Sequence, residues 1–311
     1  MNGALAIFVK TPGHSQVKSR LAADCGARYA QDWYRHAATA VAAVAREAQA
    51  SFGLVGYWAV AESDALGEWP GLPNIAQGEG GLGERMARVH ARLVAHHGFG
   101  ILIGADAPQV SVALLGEARD WLASTSQRFA LGPADDGGFW LFGANVTPPL
   151  AAWRAVQYSA AETARDLRNG MNELGTWHML ATLTDADHGR DLPAVLHALK
   201  TLPKPTTEQC ALAEWMCEQQ RTCPHTLASL EIKLPARHSR EGGAFNSRMA
   251  GHPATSSFLN AESLDDSLCS PSGPVADATV RSGLRPAQSR LRGNDGLDSD
   301  FFTPAHDPTR A

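Results

Sequence analysis

Two adjacent aspartates, Asp135 and Asp136, stand with two adjacent glycines between short apolar runs in the stretch ALGPADDGGFWLFG. Short apolar runs predict strands, and an Asp-Gly pair between them favours a hairpin turn. This pattern has two interpretations. The aspartates are either turn residues alone or carboxylates that are held where a substrate arrives.

A basic loop, KTPGHSQVKSR, follows the first apolar run and carries Lys10, Lys18 and Arg20. Backbone amides at the start of a helix, together with cationic side chains, suit a diphosphate. Neither a G-x-x-x-x-G-K-[ST] nor a G-x-G-x-x-G pattern is recognised anywhere in the sequence, so the loop is not predicted to be a Walker or dinucleotide-binding loop. It is therefore either a diphosphate-binding loop of another kind or a solvated basic segment.

Three further aspartates follow apolar runs. Asp106 comes after GILIGA, and Asp185 and Asp187 end the segment WHMLATLTDAD, which predicts a late strand. A carboxylate at a strand end can bind a divalent metal ion that bridges phosphate oxygens. The alternative is that these aspartates only cap helices or stabilise turns.

A stretch rich in Gly and Pro over residues 68–84 predicts a loop, and a helix is predicted from Arg85 onward. The segment QGEGGLGERM spans this boundary and contains Gly83, Glu84 and Arg85. The glycines permit close approach of the backbone to a ligand. Arg85 could bind a phosphate or the edge of a base. A flexible loop followed by a capped helix is the alternative.

The elements that must position these residues are strands alternating with helices. Apolar runs such as ALAIFVK and GILIGAD predict buried parallel strands, and an alanine-rich stretch over residues 27–50 predicts a long helix. The alternation predicts an α/β fold, a three-layer αβα sandwich with a mostly parallel sheet. Ligands bind such sheets at the carboxyl ends of the strands, where Lys10 and Asp106 are expected.

Bulk composition excludes several classes of protein. The chain has 311 residues, a formal net charge of -5 and a pI of about 6.2, which gives no electrostatic reason to expect a nucleic-acid partner. The five cysteines form no C-x-x-C pair, so neither a zinc site nor a disulfide framework is expected. No signal peptide or membrane-spanning segment is recognisable. These features predict a cytoplasmic protein with reduced thiols and no membrane partner.

The composition changes near residue 220. All eight Trp and all four Tyr residues lie at or before Trp215, and the following text is rich in Ser, Pro, Gly, Arg and Asp. Such a composition cannot bury enough apolar surface to offset the loss of chain entropy. We therefore predict a folded domain over residues 1–220 and a disordered, low-complexity tail over residues 221–311.

Five segments together carry a resemblance to a known family. In chain order they are KTPGHSQVKSRL, GGLGERM, GADAPQ, LGPADDGGFW and LTDAD. Over about residues 4–200 the chain resembles bacterial transferases with the glycosyltransferase-A-like, or nucleotide-diphospho-sugar transferase, fold. The resemblance is to those described as radical-SAM/selenodomain-associated or arsenosugar-biosynthesis types, which are relatives of 2-phospholactate guanylyltransferase.

The resemblance implies a metal-dependent transferase with a nucleotide-activated donor and a small acceptor. Lys10, Lys18 and Arg20 would hold the diphosphate, and Asp106 with Asp187 or Asp185 would hold Mg²⁺ or Mn²⁺. Asp136 would face the acceptor as a hydrogen-bond acceptor or base, in a turn where substrate approaches the backbone. The remaining residues expected to bind substrate are Gly83, Glu84, Arg85, Asp135, Gly137 and Gly138.

Three functions stay open at this point. The first is glycosyl transfer from a nucleotide-sugar. The second is nucleotidyl transfer from an NTP to a phosphorylated small molecule, with release of pyrophosphate. The third is nucleotide binding without catalysis.

Overall fold

The protein is described by a computed structural model that covers residues 3–222. The last helix continues through residue 222, two residues into the predicted tail. The rest of that tail lies outside the described residues. Within residues 3–222, every helix is too short or too polar to cross a lipid bilayer.

A single seven-stranded sheet forms the middle layer, with the strand order β3-β2-β1-β4-β6-β5-β7. Strand β6 runs antiparallel to both of its neighbours, and the other strand pairs are parallel. The strands are β1 (Ala4–Val9), β2 (Val55–Val60), β3 (Asn74–Ala76), β4 (Gly100–Gly104), β5 (Arg128–Pro133), β6 (Phe139–Ala144) and β7 (Thr176–Met179).

Over the described part of the chain, eight α-helices connect and flank the strands. The longest, α2, is the predicted alanine-rich helix, and it ends at a glycine with a left-handed backbone, Gly53. The helices are α1 (Ser19–Cys25), α2 (Ala27–Phe52), α3 (Leu82–His97), α4 (Val112–Leu122), α5 (Leu150–Arg154), α6 (Thr163–Met171), α7 (Leu192–Lys200) and α8 (Thr207–Thr222).

Both faces of the sheet are covered, which confirms the predicted αβα sandwich. One core packs Leu5 and Ile7 of β1 against α1, α2, α4, α7 and α8. The other packs Ala4 and Ala6 of the same strand against α3, α5 and α6. Because β1 is buried on both faces, its sequence is continuously apolar instead of alternating.

Two local predictions differ from the structure. Residues 68–84 were expected to be loop, but they contain the short edge strand β3, which pairs with β2 from Trp58 to Val60. The segment ending at Asp185 and Asp187 was expected to be a strand, but β7 ends at Met179. Beyond it the chain follows β5 only through scattered bonds, such as those between Leu183 N and Pro133 O (3.1 Å) and between Asp135 N and Leu183 O (3.1 Å).

Candidate functional site

A cleft lies at the carboxyl ends of β1 and β4 and has two adjoining halves. The larger half has a volume of about 680 Å³, and Lys10, Lys18 and Arg85 line it. The smaller half has a volume of about 410 Å³, and Asp136, Gly138 and aromatic side chains line it. Both halves share Asp106, Asp187 and Arg20 as lining residues. These residues therefore stand at the boundary between a cationic compartment and an acidic, aromatic one.

At this boundary the ammonium group of Lys18 is surrounded by three carboxylates. Its Nζ lies 2.9 Å from Asp106 Oδ2, 2.8 Å from Asp185 Oδ1 and 2.9 Å from Asp187 Oδ1. The Lys18 side chain is only 6% exposed. The structure thus brings together all three predicted metal-ligating aspartates, which are up to 81 residues apart in the chain, around a lysine that was predicted to bind phosphate.

In this cluster three carboxylates share two cations, Lys18 and Arg20. Burial and the neighbouring charge of Asp106 raise the pKa of Asp185 well above its usual range. Although burial acts in the opposite direction, Lys18 and Arg20 lower the pKa of Asp187. Although burial opposes the charged form of Lys18 as well, the three carboxylates raise its pKa. Even with these two cations the charged form of Asp185 is disfavoured, so a further cation in the cluster would favour that charged form.

Arg20 and Lys10 both reach the cleft, as predicted, but they are held differently. Arg20 Nη1 donates a 2.8 Å hydrogen bond to Asp187 Oδ2, and the arginine side chain is 55% exposed. Lys10 is exposed at the end of β1, where its backbone N donates to the hydroxyl of Tyr34 (3.1 Å). The ammonium of Lys10 is thus available to a ligand in the larger half.

Asp136 lies in the tight turn between β5 and β6, facing the smaller half of the cleft. Gly138 N donates a 2.9 Å hydrogen bond to its Oδ1, which orients the carboxylate. Gly137 has φ +87°, and a Cβ there would lie 1.8 Å from the backbone oxygen of Ala161. The turn therefore needs glycine at position 137, and this conformation aims Asp136 at the cleft.

Asp135, the other aspartate of the turn, holds a neighbouring loop. Its Oδ2 accepts a 2.8 Å hydrogen bond from Thr184 Oγ1. Thr184 directly precedes Asp185, and its carbonyl oxygen accepts a 2.6 Å hydrogen bond from Gln109 Nε2. Asp135 is not among the residues that line the two halves of the cleft. Asp135 therefore supports the loop that carries Asp185 and Asp187 through its hydrogen bond with Thr184.

The start of α3 divides into residues that line the cleft and residues that build the helix. Arg85 lines the larger half, and its Nε donates to Gly80 O (2.9 Å). Glu84 instead caps the helix, because its Oε2 accepts a hydrogen bond from Gly81 N (2.9 Å). Its other oxygen, Oε1, accepts a hydrogen bond from Arg154 Nε (2.8 Å). Gly83 is buried, and a Cβ there would lie 2.7 Å from Trp153 O. The structure does not bring Glu84 or Gly83 into the cleft.

A G-x-G-x-x-G pattern, formed by Gly78, Gly80 and Gly83, was not recognised from the sequence. It follows β3 and opens α3, which is the setting of a dinucleotide-binding fingerprint. Here the Glu84 carboxylate occupies the start of the helix. The backbone N–H of Gly81 is therefore bonded within the protein, and the pattern serves the turn and the packing of Gly83.

Several residues that line the cleft were not among the predicted site residues, and they include the polar side chains of Tyr34, Gln77 and Ser159. Tyr34 and Gln77 line the larger half, and Ser159 lines both halves. Gln77 is fixed by hydrogen bonds from its Nε2 to Val9 O (3.2 Å) and Ala59 O (2.8 Å). Ser159 has a left-handed backbone with φ 60°. Of the three, only Gln77 has a signal in the sequence, because it is the first residue of the glycine-rich segment QGEGGLGERM.

The carboxylate cluster suits the predicted Mg²⁺ or Mn²⁺ ion in its chemistry. Carboxylate oxygens of Asp136, Asp185 and Asp187 lie within 4.8 Å of one another, and Asp106 joins them through Lys18. Both ions prefer oxygen ligands of this kind. The raised pKa of Asp185, caused by burial and by Asp106, points the same way, because a bound cation would favour the charged carboxylate. The residues present therefore fit a divalent cation, provided that the ammonium of Lys18 gives way.

Comparison with known sequences gives one family. Residues 40–160 are similar to a family described as "Uncharacterized protein conserved in bacteria (DUF2064)". This segment runs from α2 to the loop before α6 and includes Asp106 and the Asp135–Asp136 turn. No curated protein is significantly similar to the chain.

Comparison with solved structures identifies the fold. The chain is similar to a proposed nucleotide-diphospho-sugar transferase from Desulfovibrio desulfuricans G20, with a TM-score of 0.61 and 21% identity over 74% of this chain and 98% of that chain. This similarity confirms the predicted nucleotide-diphospho-sugar transferase fold. At this level of identity it establishes the fold alone.

Two more distant structures also align. CMP:2-keto-3-deoxy-manno-octonic acid synthetase, in complex with CTP, gives a TM-score of 0.36 at 14% identity over 62% of this chain and 96% of that chain. The 4-diphosphocytidyl-2C-methyl-D-erythritol synthase of Anaerococcus prevotii gives 0.37 at 9% identity over 70% of this chain and 96% of that chain.

Proposed function

We propose that the protein is a metal-dependent transferase that moves a glycosyl group from a nucleotide-sugar to a small acceptor. One observation carries this proposal. The cleft has a cationic half and an acidic, aromatic half, and they meet at Asp106 and Asp187. A donor in one half and an acceptor in the other would meet at the carboxylate cluster.

The larger half supports a nucleoside diphosphate. Its volume of about 680 Å³ lies in the range of small-molecule sites. Lys10 and Arg85 supply cationic groups to the diphosphate, and Arg20 supplies another at the boundary. Mg²⁺ or Mn²⁺ held by Asp106, Asp185 and Asp187 would supply positive charge to the departing nucleoside diphosphate.

The charges of the smaller half favour glycosyl transfer over nucleotidyl transfer to a phosphorylated acceptor. Its charged lining consists of one cation, Arg20, and four carboxylates, those of Asp106, Asp136, Asp185 and Asp187. Even with the charge of a divalent cation added to that of Arg20, the four carboxylates leave a negative balance, which a phosphate group on the acceptor would increase. The aromatic side chains of Phe139, Trp140 and Tyr158 suit the apolar face of a sugar or another uncharged alcohol.

Asp136 is the base in this proposal. Gly138 holds Oδ1, so Oδ2 accepts the proton of the acceptor hydroxyl. The acceptor oxygen then forms a bond to the anomeric carbon of the donor. The bond from that carbon to the diphosphate oxygen breaks, and the nucleoside diphosphate leaves with the bonding electrons.

Thermal unfolding of the full chain tests donor binding. The ligands are NTPs and UDP-, GDP-, ADP- and dTDP-sugars, each with and without Mn²⁺. We expect one nucleotide-sugar to raise the melting temperature in the presence of Mn²⁺ and less in its absence. A response to an NTP alone would instead favour nucleotidyl transfer, and binding without turnover would favour a non-catalytic protein. The resemblance to radical-SAM-associated or arsenosugar-type transferases remains a prediction from the motifs.

A further inference from the structure

Lys18 occupies the place that the carboxylate cluster offers to a metal ion. Its Nζ lies 2.8–2.9 Å from one oxygen of each of three aspartates. A divalent cation held by those oxygens would need the same small space. The ammonium and the cation therefore cannot occupy the centre of the cluster together.

The backbone conformation of Lys18 indicates that the ion pairs hold its ammonium group between the three carboxylates. The residue has φ 45° and ψ 51°, a left-handed conformation that is strained for a non-glycine residue. It directly precedes α1, and its side chain makes no capping hydrogen bond to that helix. This conformation directs the ammonium of Lys18 toward the three carboxylates.

Lys18 also lines the larger half of the cleft, next to Lys10 and Arg20. A donor diphosphate in that half would offer the ammonium a second set of anionic oxygens. The lysine side chain is long and flexible, so it can exchange one set of oxygens for the other without a change of fold.

We propose that Lys18 competes with the divalent cation for Asp106, Asp185 and Asp187, so that the cation binds tightly only together with the donor diphosphate, which takes over the ammonium. The role of the diphosphate rests on the proposed function, whereas the competition at the carboxylates does not. By linkage, donor and cation then each tighten the binding of the other. Free cation would be held weakly, and the site would assemble when the donor arrives.

Titration of the full chain with Mn²⁺ alone, followed by the EPR signal of the free ion, tests the competition without any turnover. The variants are Lys18→Met, which removes the charge, and Lys18→Gln, which also removes the charge but keeps hydrogen-bond donors. We expect both to bind Mn²⁺ at least tenfold more tightly than the wild type. Lys10→Met is the matched control, since Lys10 lines the same half but, within residues 3–222, makes no ion pair with the three carboxylates.

Equal Mn²⁺ affinity in wild type and both Lys18 variants would overturn the proposal, as would an equal gain in Lys10→Met. If loss of Lys18 weakens the fold, Mn²⁺ should raise the melting temperature of Lys18→Met by more than it raises that of the wild type. Equal rises would contradict the competition. Tight Mn²⁺ binding in Lys18→Met with no nucleotide-sugar binding in the wild type would refute the proposed function and leave the competition standing.

Discussion

The hydroxyl of Thr184 donates a 2.8 Å hydrogen bond to Oδ2 of Asp135 and so joins the β5–β6 turn to the loop that carries Asp185 and Asp187. A second bond in the same region, from Asp135 N to Leu183 O at 3.1 Å, doubles this connection. The proposed base in the turn and the proposed metal ligands in the loop are thus tied together. The pair Asp135 and Thr184 positions the site without touching the cleft.

Replacing Thr184 by Val tests this positioning role. The substitution keeps the shape of the side chain and removes one hydrogen bond, which is worth about 1 kcal/mol. We expect Mn²⁺ affinity and kcat to fall severalfold, while the melting temperature falls by only a few degrees. Thr147→Val, at an exposed threonine outside the two halves of the cleft, is the control. Unchanged Mn²⁺ binding and kcat in Thr184→Val would show that the tether does not position the loop.

Gly137→Ala should destabilise the fold by more than a positive φ angle alone explains. Gly137 has φ +87°, and an added Cβ would lie 1.8 Å from Ala161 O. Gly13 has φ +106° with open space around its Cβ position, so Gly13→Ala carries the backbone strain without the clash. Strain alone costs about 1–3 kcal/mol. Urea unfolding should give a larger loss of unfolding free energy for Gly137→Ala than for Gly13→Ala, and equal losses would contradict a clash with Ala161.

Asp106 should be essential for turnover but not for folding. It faces both halves of the cleft, and its side chain is 32% exposed. We expect Asp106→Ala to abolish turnover and Asp106→Asn to lower kcat by about a hundredfold or more, the size of effect seen when one preorganised electrostatic group is lost. Circular dichroism should show an intact fold. Asp120→Ala, at an exposed side chain of α4, is the control, and full activity of Asp106→Ala would refute the metal assignment.

The buried His90 should make the fold sensitive to mild acid. Burial lowers the pKa of His90 from 6.5 to about 4, while backbone groups of Ala144 and Gly100 act in the opposite direction. The unfolded chain therefore binds a proton near pH 6.5 that the folded chain resists until about pH 4. Stability should be full above the unfolded pKa and fall between these values, by about 3 kcal/mol in total from this group.

Urea unfolding at several pH values measures this loss. The variant His90→Phe removes the titrating ring and keeps an aromatic side chain against Phe142 and Trp153. Its stability should depend less on pH over this interval than that of the wild type. The same slope in both proteins would assign the acid sensitivity to other groups.

The sequence predicted the layers of the fold because local composition decides them. The strand β1 had to be apolar throughout once both of its faces were buried, and the alanine-rich run had to be helical. The strand β3 escaped notice because it has only three residues and lies between prolines and glycines. Pairing with Trp58 to Val60, which no local pattern encodes, makes it a strand.

The sequence indicated which residues belong to the site, but it did not indicate which of them pair with one another. Asp106, Asp185 and Asp187 were expected to converge, and they do. Lys18 was expected to face the diphosphate, yet its nearest anions come from aspartates as far as 169 residues away in the chain. Similarly, nothing near Asp135 in the sequence shows that Thr184 is its partner. Such long-range ion pairs and hydrogen bonds depend on the packed fold, so spacing could not reveal them.

The most direct test of the central claim is the identity of the phosphorus-containing product. The full chain is incubated with Mn²⁺, with the nucleotide that stabilises it most and with a panel of uncharged alcohols and their phosphate esters, and the products are followed by ³¹P NMR. The account predicts a nucleoside diphosphate, with glycosyl transfer to an uncharged alcohol. Release of pyrophosphate from an NTP, with the nucleotidyl group appearing on a phosphate ester, would contradict it.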